Sequence, residues 1–204
     1  MCSSDLTFSV NETMKEIGLS QITRDQCRIF VGNGAKVLIE KALCAGGDTE
    51  LKHFDEAMAA YRRIFDENCT YHAVPYPGVR EMLAQMKEMG LKLAVLSNKP
   101  DRQAVHVVSE IFGDGVFDRV QGQRDGTPRK PDPAAALEIA SALGAEPDET
   151  VYIGDSEVDA ATGRAAGMKT ILVSWGFRGV EDLKAAGAEC IVDSADEIIE
   201  MVKG

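Results

Sequence analysis

The sequence runs to 204 residues, 45% hydrophobic and 27% charged, enough to bury a real core as one large domain or a core with an insert. A formal net charge of −11 repels phosphate backbones and anionic lipid, which argues against nucleic acid or membrane as a partner. There is no bilayer-length apolar run and no signal-peptide pattern, and five cysteines without CxxC spacing point to a reducing cytoplasm rather than a disulfide framework or zinc site.

Up to about Cys69 every periodic stretch reads as helix. Val10, Met14 and Ile17 follow Leu6 at helical spacing, and Gly18 supplies the stop. Thr23 and Gln26 form a capping box ahead of CRIF. Leu51, Phe54, Met58, Tyr61 and Phe65 alternate steps of three and four, giving one apolar stripe on a long helix. The breaks VGNGA and CAGGD separate these helices, and AVPYPG reads as a linker. The expected division is a helical domain over 1–74 and an α/β domain over 75–204.

Beyond the linker, strand and helix alternate. LKLAVLS, FDRVQ, TVYIG, KTILVSW and ECIV are short apolar runs rich in β-branched residues. The helical stretches between them close on Gly90, Gly144, Gly167 and Gly187, and Asp132 with Pro133 makes an N-cap and first-turn pair. This order implies a doubly wound parallel sheet with helices on both faces. In such sheets the chemistry gathers at the carboxyl ends of the strands. His53, His72 and His106 lie too far apart in sequence to suggest a metal pair and read as surface or capping residues.

Three strand-end segments then matter: SNKP after LKLAVL, the loop QRDGTPRKPDP, and GDSEVD after TVYI. Singly they are ordinary, since Ser97 and Asn98 can cap a helix, Lys130 can be a solvated lysine, and Asp155 with Ser156 can be an N-cap. Together they suggest a site for a phosphoryl group and a divalent metal. Ser97 and Asn98 can hydrogen-bond phosphate oxygens with a helix N-terminus behind them. Lys130 can neutralise charge on the transferring group. Asp155 offers a hard oxygen for Mg2+, and Asp159 can orient ligand water or hold Lys130.

With LSNKP, RKPDP and IGDSEVDAATGRAAGM in this order, the chain resembles the haloacid-dehalogenase-like hydrolase superfamily, most closely its phosphoglycolate phosphatase branch, from about Ser9 onward. The resemblance implies an α/β Rossmann-like core with a small helical cap and Mg2+-dependent hydrolysis of a small phosphorylated metabolite, 2-phosphoglycolate foremost, by a monomer or homodimer. It implies that Ser97, Asn98 and Lys130 bind phosphate, that Asp155 ligates Mg2+ with Asp159 in support, and that Gly32, Asn33 and Gly34 form the cap loop facing substrate. Asn-Gly is also what a tight helix–helix turn prefers. A non-catalytic phosphate-ester-binding or dimerising module and a hexose-phosphate mutase remain open. The GDSEVD carboxylates argue against a dehalogenase, whose chemistry uses no Mg2+.

The resemblance also implies a nucleophilic aspartate and, two residues later, an acid–base aspartate, in an Asp-x-Asp-Gly-Thr motif ending a first strand. No such string occurs; Asp125-Gly126-Thr127, the nearest, follows no apolar strand, and neither does Asp5. By resemblance that strand belongs between the strands ending at Ser97 and Asp155, whose backbone groups would otherwise go unpaired. The expectation is an N-terminally truncated chain, catalytically incomplete, inactive and poorly folded. MCSSDL can be encoded by GTG TGC TCT TCC GAT CTN, which resembles a sequencing-library adapter, so residues 1–6 are expected to be foreign to the protein.

Overall fold

The computed structural model describes residues 4–203, and the chain divides into two compact units, Met1–Val74 and Pro75–Gly204. The first is all helix: α1 (Ser4–Glu16), α2 (Arg24–Phe30), α3 (Gly34–Ala45) and α4 (Phe54–Asn68). Of the segment expected to be foreign, residues 1–3 lie outside the described residues, while Asp5 and Leu6 belong to α1 and Asp5 is only 2% exposed. Helix α1 buries Val10 and Met14 completely. Its buried Ser9 and Thr13 hydroxyls donate to the carbonyls of Asp5 and Ser9, so neither reaches the interior unpaired.

The capping box forms as its spacing dictates. Thr23 Oγ1 accepts from the Gln26 amide at 3.1 Å, and Gln26 Oε1 accepts from the Thr23 amide at 2.8 Å. The α4 stripe buries Met58, Tyr61 and Phe65, but Leu51 stands outside the helix at a φ of 56°. The cause is local. The Asp48 carboxylate accepts from the Lys52 and His53 amides at 3.0 and 2.8 Å, which fixes a turn ahead of Phe54.

The second unit runs α5 (Val79–Glu88), β1 (Ala94–Pro100), α6 (Asp101–Phe112), β2 (Arg119–Gln123), α7 (Ala134–Leu143), a 3-10 turn (Pro147–Glu149), β3 (Val151–Gly154), α8 (Glu157–Ala165), β4 (Lys169–Val173), α9 (Val180–Ala185), β5 (Ile191–Val192) and α10 (Ala195–Lys203). Strand and helix alternate and every pairing is parallel, as expected of an α/β fold. Gly90, Gly144, Gly167 and Gly187 all take positive φ just past their helices. One boundary moves: Pro133 occupies the N-cap position of α7, and Asp132 Oδ1 accepts from the Ala134 amide at 2.9 Å. No helix among the described residues is long and apolar enough to cross a membrane.

The strands form two sheets: β1 with β2, and β3-β4-β5 in that order. Strands β1 and β3 are therefore both edges. Burial follows the split. In β4, paired on both sides, Ile171, Leu172 and Val173 are 0%, 1% and 7% exposed, whereas Ile153 of β3 is 39% exposed. Helices nevertheless cover both faces. On one, Leu96 of β1 and Tyr152 of β3 pack against a single cluster of Ala136, Ala140, Ala166 and Met168. On the other, Leu93 and Val151 share a cluster with residues of α5 and α10 that include Met86 and Ile198.

Candidate active site

The site assembles where the carboxyl ends of β1 and β3 meet the loop before α7. Register in the β1–β2 pair slips between Leu96 and Pro100, an irregularity of the kind that re-aims side chains near functional sites. Ser97 and Asn98 lie in that slip, so β1 runs on to Pro100 instead of ending at Ser97. Ser97 Oγ accepts from the Lys99 amide at 3.1 Å. Asn98 grips the loop by both ends of its amide: Oδ1 accepts from the Lys130 amide at 3.1 Å, and Nδ2 donates to the Lys130 carbonyl at 3.2 Å. The loop is thereby held with the lysine side chain inward, 12% exposed.

Lys130 Nζ donates to Asp159 Oδ1 at 2.8 Å and to the Leu96 carbonyl at 3.2 Å. Burial works to lower the Lys130 pKa, but the Asp159 carboxylate and the Tyr152 hydroxyl outweigh it and hold the ammonium above its usual value. Asp159 is the hub of the site. Besides Lys130 it accepts from Ser156 Oγ at 2.6 Å, the Asp155 amide at 3.2 Å and Tyr152 Oη at 3.3 Å. Burial would raise its pKa, yet Lys130 and these donors hold it below the ordinary carboxylate value. Ser156 also caps α8 by accepting from the Asp159 amide, so one hydroxyl starts the helix and braces the hub.

Asp155 is differently placed. Its Oδ2 accepts from the Phe177 amide at 3.0 Å, but burial and the nearby Asp159 charge raise its pKa. A buried carboxylate pushed toward its neutral form is one whose ionised state calls for a cation. Its hard oxygen suits Mg2+, which takes one or two protein carboxylates and completes its shell from water and substrate phosphate. Among the described residues no three His, Cys, Asp or Glu side chains gather as a full metal cage. Asp155 thus fits a metal ligand, and Asp159, committed to Lys130, fits the supporting role.

Of the residues singled out in the sequence, Asn98, Lys130 and Asp159 are joined by hydrogen bonds, with Ser97 and Asp155 adjoining them on the chain. Asn33 belongs to the helical unit, exposed at the N-cap position of α3 with no capping bond from its side chain. Three contributors escaped the sequence reading. Tyr152, whose burial pushes its pKa up to about 12, sets its hydroxyl on Asp159; its position two residues before the strand end was the only available signal. Gly154 and Gly176 admit the carboxylate side chains, since a Cβ on either would stand 2.2 Å from Asp159 Cβ or 2.1 Å from Asp155 Cβ.

The sequence and the fold match known proteins. The sequence profile described as haloacid dehalogenase-like hydrolase matches residues 3–173. A phosphoglycolate phosphatase of Aquifex aeolicus is 31% identical over 175 residues, covering 86% of this chain and 79% of that one. Another, from Nitrosococcus oceani, is 30% identical over 95% of this chain and 87% of its own. A solved structure from Lactobacillus delbrueckii subsp. bulgaricus, described as a candidate phosphoglycolate phosphatase, superposes with a TM-score of 0.90 at 31% identity, covering 98% of this chain and 92% of that one. The profile match over residues 3–173 and relatives matched along most of the chain place the protein in the haloacid dehalogenase-like hydrolase family, as a phosphatase-like hydrolase.

Proposed function

We propose that this site serves Mg2+-dependent hydrolysis of a small phosphomonoester, 2-phosphoglycolate foremost, through an aspartyl-phosphate. The observation that carries the reading is the Asn98–Lys130–Asp159 chain of bonds at the strand ends. The names of the Aquifex and Nitrosococcus relatives support the substrate. In this reading Ser97 and Asn98 donate to the phosphate oxygens, and Lys130, kept cationic by Asp159, neutralises charge as the phosphoryl group transfers. Asp155 would hold the metal, which when bound polarises a phosphoryl oxygen. Asn33 is the helical unit's candidate substrate contact.

The 204 residues contain no Asp-x-Asp-Gly-Thr string, so we propose that the chain as it stands performs no turnover. The test joins an apolar strand ending in that motif ahead of Ser4 and follows phosphate release from 2-phosphoglycolate and from glucose phosphates, with and without Mg2+. The 204-residue chain should release none. The joined chain should do so only with Mg2+, fastest on 2-phosphoglycolate, and Lys130→Ala should slow it about 100-fold or more. Turnover by the shorter chain at phosphatase rates would refute the inactivity, and a preference for hexose phosphates would refute the substrate.

A further inference from the structure

We infer that the Glu157–Arg178 ion pair is a positioning clamp, which holds the loop after β4 against Asp155 and so sets how tightly that carboxylate binds a divalent cation. The inference rests on the metal reading of Asp155 given above. It adds two residues that act on the cation only through Asp155.

The loop spans residues 174–179, between β4 and α9. Its two ends are tied locally. The Ser174 amide donates to the Val192 carbonyl at 3.0 Å, and the Ser174 hydroxyl donates to Asp193 Oδ1 at 2.6 Å. At the far end the Gly179 carbonyl accepts from the Leu183 amide at 3.1 Å in the first turn of α9. The stretch between them is where the loop meets the site. Phe177 gives its amide to Asp155 Oδ2 at 3.0 Å, and a Cβ on Gly176 would run into the same carboxylate. Loop backbone therefore lies directly against the metal-binding side chain.

One residue past that amide, Arg178 reaches across to the first residue of α8. Its Nε donates to Glu157 Oε2 at 2.7 Å and its Nη2 to Oε1 at 3.0 Å, a two-bond fork that fixes the planes of both groups. The Arg178 side chain is 13% exposed, so this is no loose surface pair. A closed circuit results. It runs from Asp155 to the Phe177 amide, on to Arg178, across to Glu157, and back along the chain to Asp155. Opening the fork lets the loop drift and take the Phe177 amide with it. Partners that orient a metal ligand in this way commonly set affinity by about 10–100-fold.

The sign of one substitution separates positioning from plain charge. The Glu157 bond foremost, and the Asp155 charge after it, hold the Arg178 guanidinium above its usual value, so Arg178 and Asp155 feel each other. By charge alone, removing that cation would tighten the binding of another at Asp155. By positioning, the same change loosens it.

The probe is Mn2+, which takes the same hard oxygen donors as Mg2+, titrated into the 204-residue protein and followed by the electron paramagnetic resonance of the free ion. Hydrogen exchange of the Phe177 amide is read without metal. Asp155→Asn should abolish Mn2+ binding at the site. Arg178→Gln and Glu157→Gln should each weaken it about tenfold or more, and the double variant should bind no worse than the weaker single one. In both single variants the Phe177 amide should lose most of its protection. Should Arg178→Gln fail to fold, the half-exposed Glu157→Gln carries the test through that amide. Unchanged or tighter Mn2+ binding by Arg178→Gln, with Asp155→Asn still abolishing it, would overturn the inference and leave the metal reading standing. Lowered stability with Phe177 protection intact, or two single effects that simply add, would overturn it as well. Mn2+ binding indifferent to Asp155→Asn would overturn the inference and the metal reading together.

Discussion

Replacing Asp159 by asparagine should cost far more stability than replacing Lys130 by methionine, although the two residues form one ion pair. The pair is deeply placed, at 12% and 9% side-chain exposure, and spans 2.8 Å. Losing one partner of such a pair costs about 3–5 kcal/mol, most of it from the charge left behind. In Asp159→Asn the Lys130 ammonium loses its counter-charge and keeps only neutral partners, the Leu96 carbonyl, the Tyr152 hydroxyl and the new amide oxygen. Shedding its proton offers little escape, because neutralising a lysine at pH 7 itself costs about 5 kcal/mol. In Lys130→Met the stranded group is the Asp159 carboxylate, which retains Ser156 Oγ, the Asp155 amide and Tyr152 Oη. Its loss should stay near the 1–3 kcal/mol of a charged hydrogen bond. Urea unfolding followed through Trp175, the single tryptophan, reads the α/β unit directly, because that ring packs against its core. With a slope of about 1–3 kcal/mol per molar urea, Asp159→Asn should lower the midpoint by about 1 M or more. The double variant should recover part of the loss. Equal costs for the two single changes, or both below about 1 kcal/mol, would refute the reasoning.

Two further outcomes test the core. Gly122→Ala would bring a Cβ to 2.5 Å from Asp101 Cα and 2.6 Å from the Lys99 carbonyl, backbone atoms that cannot swing aside; the variant should lose about 1–3 kcal/mol of stability by the same denaturation assay. Asp118 accepts from the Leu93 amide at 2.9 Å, and that bond, followed by Lys92, holds its carboxyl below the ordinary value. Its contribution should therefore be complete above about pH 4 and fade as pH falls through the lower folded value. Asp118→Asn should flatten that part of the acid-unfolding profile, and an unchanged profile would assign the acid response elsewhere.

Much of this was legible in the sequence because it rests on local rules. The Thr23–Gln26 box, the positive-φ glycines after the helices and the α4 stripe are each written within a turn or two. The strand runs were placed to within a few residues because apolar β-branched runs between glycines have few other uses. Misses came where a distant or competing partner decided the matter. Leu51 left its helix because Asp48 tied the preceding turn. Strand β1 outran Ser97 through a pairing of Pro100 with Gln123 in another strand. The clasp of Asn98 on a loop 32 residues away had no local signal beside its assignment to phosphate binding. Tyr152 carried no motif at all; only the third dimension brings its hydroxyl to Asp159.

The division of the strands into two sheets bears on how the α/β unit is held together. No backbone ladder crosses from β1 to β3, so the contacts that join the two sheets are made by side chains. These are the Lys130 clasp on Leu96 and Asp159, and the apolar clusters that helices lay over both edges. Side chains laid over both edges, and not a shared ladder, hold the β1–β2 and β3–β4–β5 sheets in one compact unit.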